Sequence, residues 1–323
     1  MKVLITGAGG FIGSHLTELC VRKGFEVKAF VRYNSKNSWG WLDKSNYTKD
    51  IEVIAGDIRD YDSVNNAVKD CDTVFHLAAL IGIPYSYISP LAYIKTNIEG
   101  TYNILQSSLV NKVRNVLITS TSETYGTAQY TPIDEKHPLS GQSPYSASKI
   151  SADQLALSYY RSFGLPVKII RPFNTYGPRQ SARAIIPVII TQILSGNKKI
   201  KLGNISPKRD LTFVKDTVNG FFEIFNADKL AGEITNIGMK NEISVADLFE
   251  KIKGLLNVKA EIASDDERIR PENSEVERLL CDNSKILKTT NWKPEYNLEK
   301  GLNETINWIK DNLNIYKNDI YNV

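Results

Sequence analysis

Short apolar, β-branched runs alternate along the chain with longer stretches in which apolar residues recur every third or fourth position. The short runs predict strands over 2–6, 26–31, 51–55, 73–77, 115–119 and 167–171. One-sided apolar patterns between them predict helices over 14–23, 61–68, 97–111 and 145–163. Strands joined in this way need crossovers, and right-handed crossovers build an α/β fold with a Rossmann-type, doubly wound parallel sheet. After about residue 174 Pro, Arg and Gly become frequent, and shorter elements are separated by Gly196, Gly203, Gly232 and Gly238. The expected organisation is a first domain over 1–173 with returning segments near 210–240, a smaller, partly discontinuous lobe mainly over 174–310, and a tail over 311–323. The polar, Asn-rich stretch from Lys310 is expected to fray.

Composition narrows the class. With 323 residues, 24% charged, 42% hydrophobic, 20 Gly and 12 Pro, the chain is neither disordered nor fibrous, and it can bury a large core. The formal charge of +4 is spread along the chain, too little for a nucleic-acid footprint. Cys20, Cys71 and Cys281 show no CxxC spacing, so neither a disulfide nor a metal site is expected, and reduced thiols suit a cytoplasmic protein. The N-terminal apolar run is too short for a signal peptide, and no run of about 18 apolar residues suggests a membrane span.

The first predicted strand runs into Thr6-Gly7-Ala8-Gly9-Gly10-Phe11-Ile12-Gly13, with Gly7, Gly10 and Gly13 in GxxGxxG spacing. A tight turn without Cβ atoms lets amides and the positive end of a helix approach a pyrophosphate, and a strand before and a helix after are the context that this needs. Dinucleotide binding is therefore expected of the first domain. At the end of the second strand, where an acid would mark a free ribose 2′-hydroxyl, stands Arg32. It could pair with the 2′-phosphate of NADP, which is slightly favoured, or stack on adenine while NAD binds. Asp57, in Gly56-Asp57-Ile58, could accept the adenine amino group or simply cap a helix.

Tyr145 and Lys149 are four residues apart, on one face of a predicted helix. A phenol is a poor base at neutral pH, and an adjacent ammonium would stabilise the phenolate. The strand over 115–119 ends in Ser120-Thr121-Ser122-Glu123, at the sheet edge where such folds place their chemistry. Thr121 could hydrogen-bond a reacting oxygen, and Glu123 could act on a neighbouring carbon. His15, His76 and His137 lack ligand spacing and are expected to pack in the core. Trp39 and Trp41 could flank adenine or anchor an insertion.

Gly7 to Gly13, His76-Leu77-Ala78-Ala79, Asn97, Thr121, Tyr145 to Lys149 and Arg171-Pro172-Phe173-Asn174-Thr175-Tyr176-Gly177-Pro178-Arg179 together resemble the extended short-chain dehydrogenases/reductases of the nucleotide-sugar epimerase/dehydratase family. More narrowly, the runs 141–145 and 179–183 resemble UDP-N-acetylglucosamine 4,6-dehydratases of legionaminic- and pseudaminic-type pathways. The resemblance implies a tightly held NAD or NADP contacted by Gly7, Gly10, Phe11, Ile12, Gly13, Arg32, Asp57, Ile58, Leu77, Ala78, Ala79, Asn97, Tyr145 and Lys149. It implies transient oxidation of the sugar at C4, with Thr121 and Tyr145 on the hydroxyl, Lys149 on the nicotinamide ribose, and Glu123 removing the acidified C5 hydrogen as the C6 hydroxyl leaves.

Family dehydratases commonly carry Asp where this chain has Ser122, and serine is no acid for a leaving hydroxyl. Either Glu123 works as both base and acid, or water relayed by Ser122 helps, or the reaction is not a complete dehydration. UDP-glucuronate decarboxylation, 4-epimerisation and another C5-acting step are the alternatives, and a non-catalytic dinucleotide sensor is a remote one. Asn174, Arg183, Arg209 and Arg270 are implied to hold the UDP-sugar, since guanidinium groups suit phosphate, with Asp210 as an ion-pair partner. Relatives pair two long helices per subunit, so a homodimer through a four-helix bundle of the segments 97–111 and 145–163 is implied as well.

Overall fold

The computed structural model describes residues 1–317. Its first half contains the strands β1 (Lys2–Thr6), β2 (Glu26–Arg32), β3 (Ile51–Gly56), β4 (Thr73–His76), β5 (Asn115–Thr119) and β6 (Val167–Pro172). Between them run the helices α1 (Phe11–Arg22), α2 (Tyr61–Val68), α3 (Ile83–Ile88), α4 (Pro90–Tyr93), α5 (Gly100–Val110) and α6 (Pro144–Phe163). Then follow β7 (Asn174–Tyr176), α7 (Ile185–Leu194), β8 (Lys199–Leu202), β9 (Lys208–Phe213), α8 (Val214–Asn226), β10 (Ile234–Ile237) and β11 (Glu242–Ser244). The chain continues through α9 (Val245–Leu256), β12 (Glu261–Ser264), β13 (Arg278–Leu279), α10 (Ser284–Thr289) and α11 (Leu298–Asp311).

Seven strands form one parallel sheet in the order β10-β6-β5-β4-β1-β2-β3. The six predicted strands are present, with ends differing by at most one residue. β10 was not anticipated, because four residues in a glycine-punctuated stretch carry too little alternation to stand out. The sheet is covered on both faces. Leu16, Leu19 and Cys20 of α1 and Val218, Phe221 and Phe225 of α8 fill one side, while Val64, Ile104, Leu105, Ala156 and Leu157 from α2, α5 and α6 fill the other.

Local signals place the helix that matters most for the site. Ser143 caps α6 by accepting from the Ser146 amide while the Ser146 hydroxyl accepts from the Ser143 amide, Pro144 opens the first turn, and Gly164 closes the helix in the left-handed region at φ 69°. The predicted helix over 97–111 is instead a π-helical stretch, Ile94–Glu99, running into α5. The wider turn brings Asn97 inward.

The remaining strands form two small sheets, one in the order β11-β9-β13 with β7 also paired to β9, and one joining β12 to β8. They are tied to the main body through polar groups. The Asp216 carboxylate of α8 accepts from the amides of Glu295 and Tyr296 at 2.9 and 3.1 Å, and the Trp292 indole donates to the Asp216 carbonyl at 2.9 Å. The expected fraying from Lys310 does not occur up to Tyr316. A turn at Leu313–Ile315 follows α11, and the Tyr316 ring meets Trp308 edge-on while its hydroxyl donates to the Gln180 carbonyl at 2.8 Å. Residues 318–323 of that tail lie outside the described residues. Replacing Asp216→Ala removes the acceptor of two part-buried amides, and a loss of about 1–3 kcal/mol is expected, read as a lower urea midpoint with an unchanged slope.

Candidate active site

The glycine turn is shaped by contacts that leave no room for side chains. Gly7 has φ +70°, and a Cβ there would lie 2.8 Å from the Ala78 nitrogen; one on Gly13 would lie 2.1 Å from the Gly7 carbonyl oxygen. Gly10 precedes α1 without a side-chain cap, and the amides of Phe11 and Ile12 have no acceptor among the described residues. The Thr6 hydroxyl accepts from the amides of Leu77 and Ala78 at 3.1 and 3.2 Å and meets His76 Nδ1 at 2.8 Å, so the ends of β1 and β4 are locked together. Free amides at a helix start, opposite a bare turn, fit a dinucleotide pyrophosphate.

The adenosine end is less defined by side chains. Arg32 is exposed at the end of β2, opposite Gly56 in register. Asp57 is gripped by Arg59, which holds its carboxyl below the usual carboxylate range; the cap of α2 is Asp60, not Asp57. Ile58 is buried, with its carbonyl accepting from Asn103 at 3.0 Å. Trp41 anchors the loop after β2: its amide donates to the Gly9 carbonyl at 3.0 Å and its ring meets Trp308 edge-on at 5.3 Å. Trp39 is at the surface.

At the carboxyl edge of β5 and β6 the predicted chemical groups come together. Thr121 caps the turn Ser122–Tyr125, accepting from the Glu123 amide at 3.3 Å. Tyr145, at the start of α6, is nearly buried, and burial pushes its phenol well above the usual range, opposed by a hydrogen bond with Thr121. The Lys149 ammonium donates to the Thr119 carbonyl, and burial lowers its pKa. Glu123, Tyr93 and Asp153 push the Tyr145 phenol further up, and the Tyr93 ring stands edge-on to Tyr145 at 6.2 Å. The Asn97 amide is committed to both backbone groups of Leu80 and to the Ser148 hydroxyl, all at 2.9 Å, so it ties the stretch after β4 to α6.

The opposite wall comes from the second lobe. Arg209 and Arg270 converge on one oxygen of Glu275, each at 3.5 Å. Glu123 also acts on Arg209, whose charge burial opposes. Asn174 Oδ1 is buried without a hydrogen-bond partner, as expected of an atom waiting for a ligand. Arg183 is exposed and lies beside Gly82 and Tyr93. Asp210 has no ion-pair partner among the described residues. It is fully buried, accepts from the amides of Met239 and Cys281 at 2.7 and 3.1 Å, and is pushed up to about 6 by burial.

Of the histidines, His76 is a core residue lowered to about 3, and His137 is buried against Tyr125 and Tyr130. His15 packs edge-on against Phe11 and is lowered to about 4, first by burial, while its Nε2 bonds the Pro178 carbonyl at 3.1 Å and links α1 to the second lobe. Glu275 and Tyr93 were not foreseen; neither stands in a spacing that marks a site.

A dinucleotide-shaped turn, a tyrosine–lysine helix face and a facing pair of arginines define an extended short-chain dehydrogenase/reductase acting on nucleotide sugars. The model of the GDP-mannose 4,6 dehydratase family matches residues 4–305, and the chain belongs to that family. It is 33% identical to a UDP-N-acetyl-alpha-D-glucosaminuronate decarboxylase of Bacillus cytotoxicus, over 96% of this chain and 98% of that protein. It is 31% identical to a dTDP-glucose 4,6-dehydratase of Streptomyces antibioticus, over 97% and 93% of the two chains. The dTDP-glucose 4,6-dehydratase of Streptomyces venezuelae, solved with NAD bound, superposes with a TM-score of 0.89 at 27% identity, covering 98% of this chain and 99% of that one. Gly13→Ala is expected to abolish the rise in melting temperature that added dinucleotide gives the parent protein, in a thermal-shift titration.

Proposed function

We propose that the protein is a 4,6-dehydratase of a UDP-sugar, UDP-N-acetylglucosamine in the first instance, with NAD as its resident cofactor. The observation that carries the reading is Glu123, a carboxylate in the turn capped by Thr121 whose charge is felt by both the Tyr145 phenol and the Arg209 guanidinium. NAD is preferred over the NADP favoured by Arg32 alone, because the related dehydratase of known structure holds NAD. An acetamido sugar is supported by the relative that acts on UDP-N-acetyl-glucosaminuronate.

When bound, NAD supplies a hydride acceptor that returns the hydride within the same turnover. Tyr145 takes the proton of the C4 hydroxyl, with Thr121 holding the oxygen. The ketone makes the C5 hydrogen acidic, and Glu123 removes it as a proton. With Ser122 unable to serve as an acid, Glu123 delivers that proton to the departing C6 hydroxyl, which leaves as water. Hydride at C6 and a proton at C5, equal in count to the one Tyr145 accepted, complete a 4-keto-6-deoxy sugar. Arg209 and Arg270 clamp the diphosphate, Asn174 offers its free oxygen, and Arg183 reaches the sugar end.

The assembly proposed is a homodimer. Ile94, Tyr102 and Val110 near and along α5 and Phe163 at the end of α6 are exposed apolar residues on neighbouring helices, as a four-helix bundle between two copies would use.

Incubation with UDP-N-acetylglucosamine is expected to give a product lighter by one water in mass spectrometry. Tyr145→Phe should slow it by at least ~10²-fold. Glu123→Gln should leave C4 oxidation in place, seen as reduced-nicotinamide absorbance, while eliminating no water. A product of unchanged mass would make the protein a 4-epimerase, and carbon dioxide released from UDP-glucuronate or its acetamido analogue would make it a decarboxylase. Burial raises the Tyr145 phenol above its ordinary value, so the oxidation rate should rise with pH and reach no plateau below about pH 10, and a flat profile contradicts Tyr145 as base.

A further inference from the structure

Beneath the reacting groups lies a buried ion pair that the mechanism does not use. Asp153 and Arg171 are both fully inaccessible to solvent. A single carboxylate oxygen, Asp153 Oδ2, accepts from Arg171 Nη2 at 2.8 Å, from Arg171 Nε at 3.2 Å and from the Ser120 hydroxyl at 2.6 Å. The Arg171 guanidinium lies over the Tyr125 ring at 4.8 Å, and the Tyr125 hydroxyl donates to Asn236 Oδ1 of β10 at 2.8 Å. The Asn236 amide in turn donates to Glu135 at 2.9 Å.

The placement of these contacts along the chain is what gives them meaning. Ser120 and Tyr125 are the two ends of the turn that carries Thr121 and Glu123. One end is hydrogen-bonded to the pair and the other is stacked on it. Asp153 stands on α6 one turn beyond Lys149 and two beyond Tyr145, on the same helical face. Arg171 comes from β6, whose Ile170 carbonyl also accepts from the Ser120 amide at 2.7 Å. Helix, turn and strand are thus referred to one point. A buried pair of this kind adds little net stability, because desolvation offsets the attraction, so its presence calls for another reason.

We infer that Asp153 and Arg171, with Ser120 and Tyr125 as their contacts, are positioning residues that hold the Thr121–Glu123 turn at a set distance from Tyr145 and Lys149. None of the four reaches Arg209, Arg270 or Asn174 through any hydrogen bond among the described residues. The device therefore sets the geometry of the C4 oxygen and C5 hydrogen and leaves nucleotide binding alone. This inference rests on the proposed chemistry at C4 but not on the fate of the ketone.

The deciding variant is Ser120→Ala, which releases one end of the turn and leaves the ion pair whole. Single-turnover oxidation of a bound UDP-sugar, read as reduced-nicotinamide absorbance, is expected to slow by ~10- to 100-fold, since small misplacements of reacting groups carry costs of that order. The affinity for UDP, measured by calorimetry, should stay within about twofold, because its clamp is untouched. Asp153→Asn should show the same split more strongly, and if it does not fold, Ser120→Ala alone decides. Ser120→Ala oxidising at the parent rate, or losing UDP affinity in proportion to rate, overturns the positioning role. A parent protein that oxidises the sugar yet releases no dehydrated product overturns the dehydratase instead and leaves the comparison of oxidation rates valid. A parent that oxidises no UDP-sugar at all overturns both.

Discussion

All seven strands of the central sheet point the same way, and this single constraint collects the chemistry at one edge. Each strand must return through a helix on a face of the sheet, so each leaves its carboxyl end as the place where the chain turns. The glycine turn after β1, the Leu77-Ala78-Ala79 stretch after β4, the Thr121–Glu123 turn after β5 and the Arg171-to-Asn174 stretch at β6 become neighbours although about 170 residues separate the first from the last. The Thr6 hydroxyl, bonded to the amides after β4, is the local expression of that meeting.

At this edge burial and charge work against each other. The Tyr145 phenol is pushed up and the Lys149 ammonium pushed down by loss of water, while Asp153 draws Lys149 the other way. Lys149 settles on a backbone carbonyl and Asp153 on Arg171, so the charges near the phenol are fixed by directional bonds. Fixed dipoles and charges of this kind do not need to reorganise when a proton moves, and that is the value of a preorganised site.

The second lobe is joined to the first by a few specific contacts around the same cleft. Arg179 reaches Glu18 at 2.8 Å and the Ser14 hydroxyl at 3.1 Å, His15 meets the Pro178 carbonyl, and Trp41 packs on Trp308. On the far side, Ser274 bonds both Tyr87 and the Gln142 carbonyl at 2.6 Å, carrying the segment of Arg270 and Glu275 across to α3 and the approach to α6. Glu275 holds the Arg209 and Arg270 cations together, countering part of their mutual repulsion.

Local pattern alone determined the parallel sheet's first six strands, the glycine turn and the Tyr145–Lys149 face, because strand alternation, helix period and a Cβ-free turn are properties of neighbouring residues. The order of motifs carried the family. Tertiary structure alone decided that β10 completes the sheet, that the chain stays packed through Tyr316, that Asp210 is held by amides, and that the Lys149 ammonium bonds the Thr119 carbonyl. It also decided that Ser120, Asp153 and Arg171 meet. Each of these outcomes turns on which groups are brought together and stripped of water, and no spacing along a single chain records the distance between residues that folding makes neighbours.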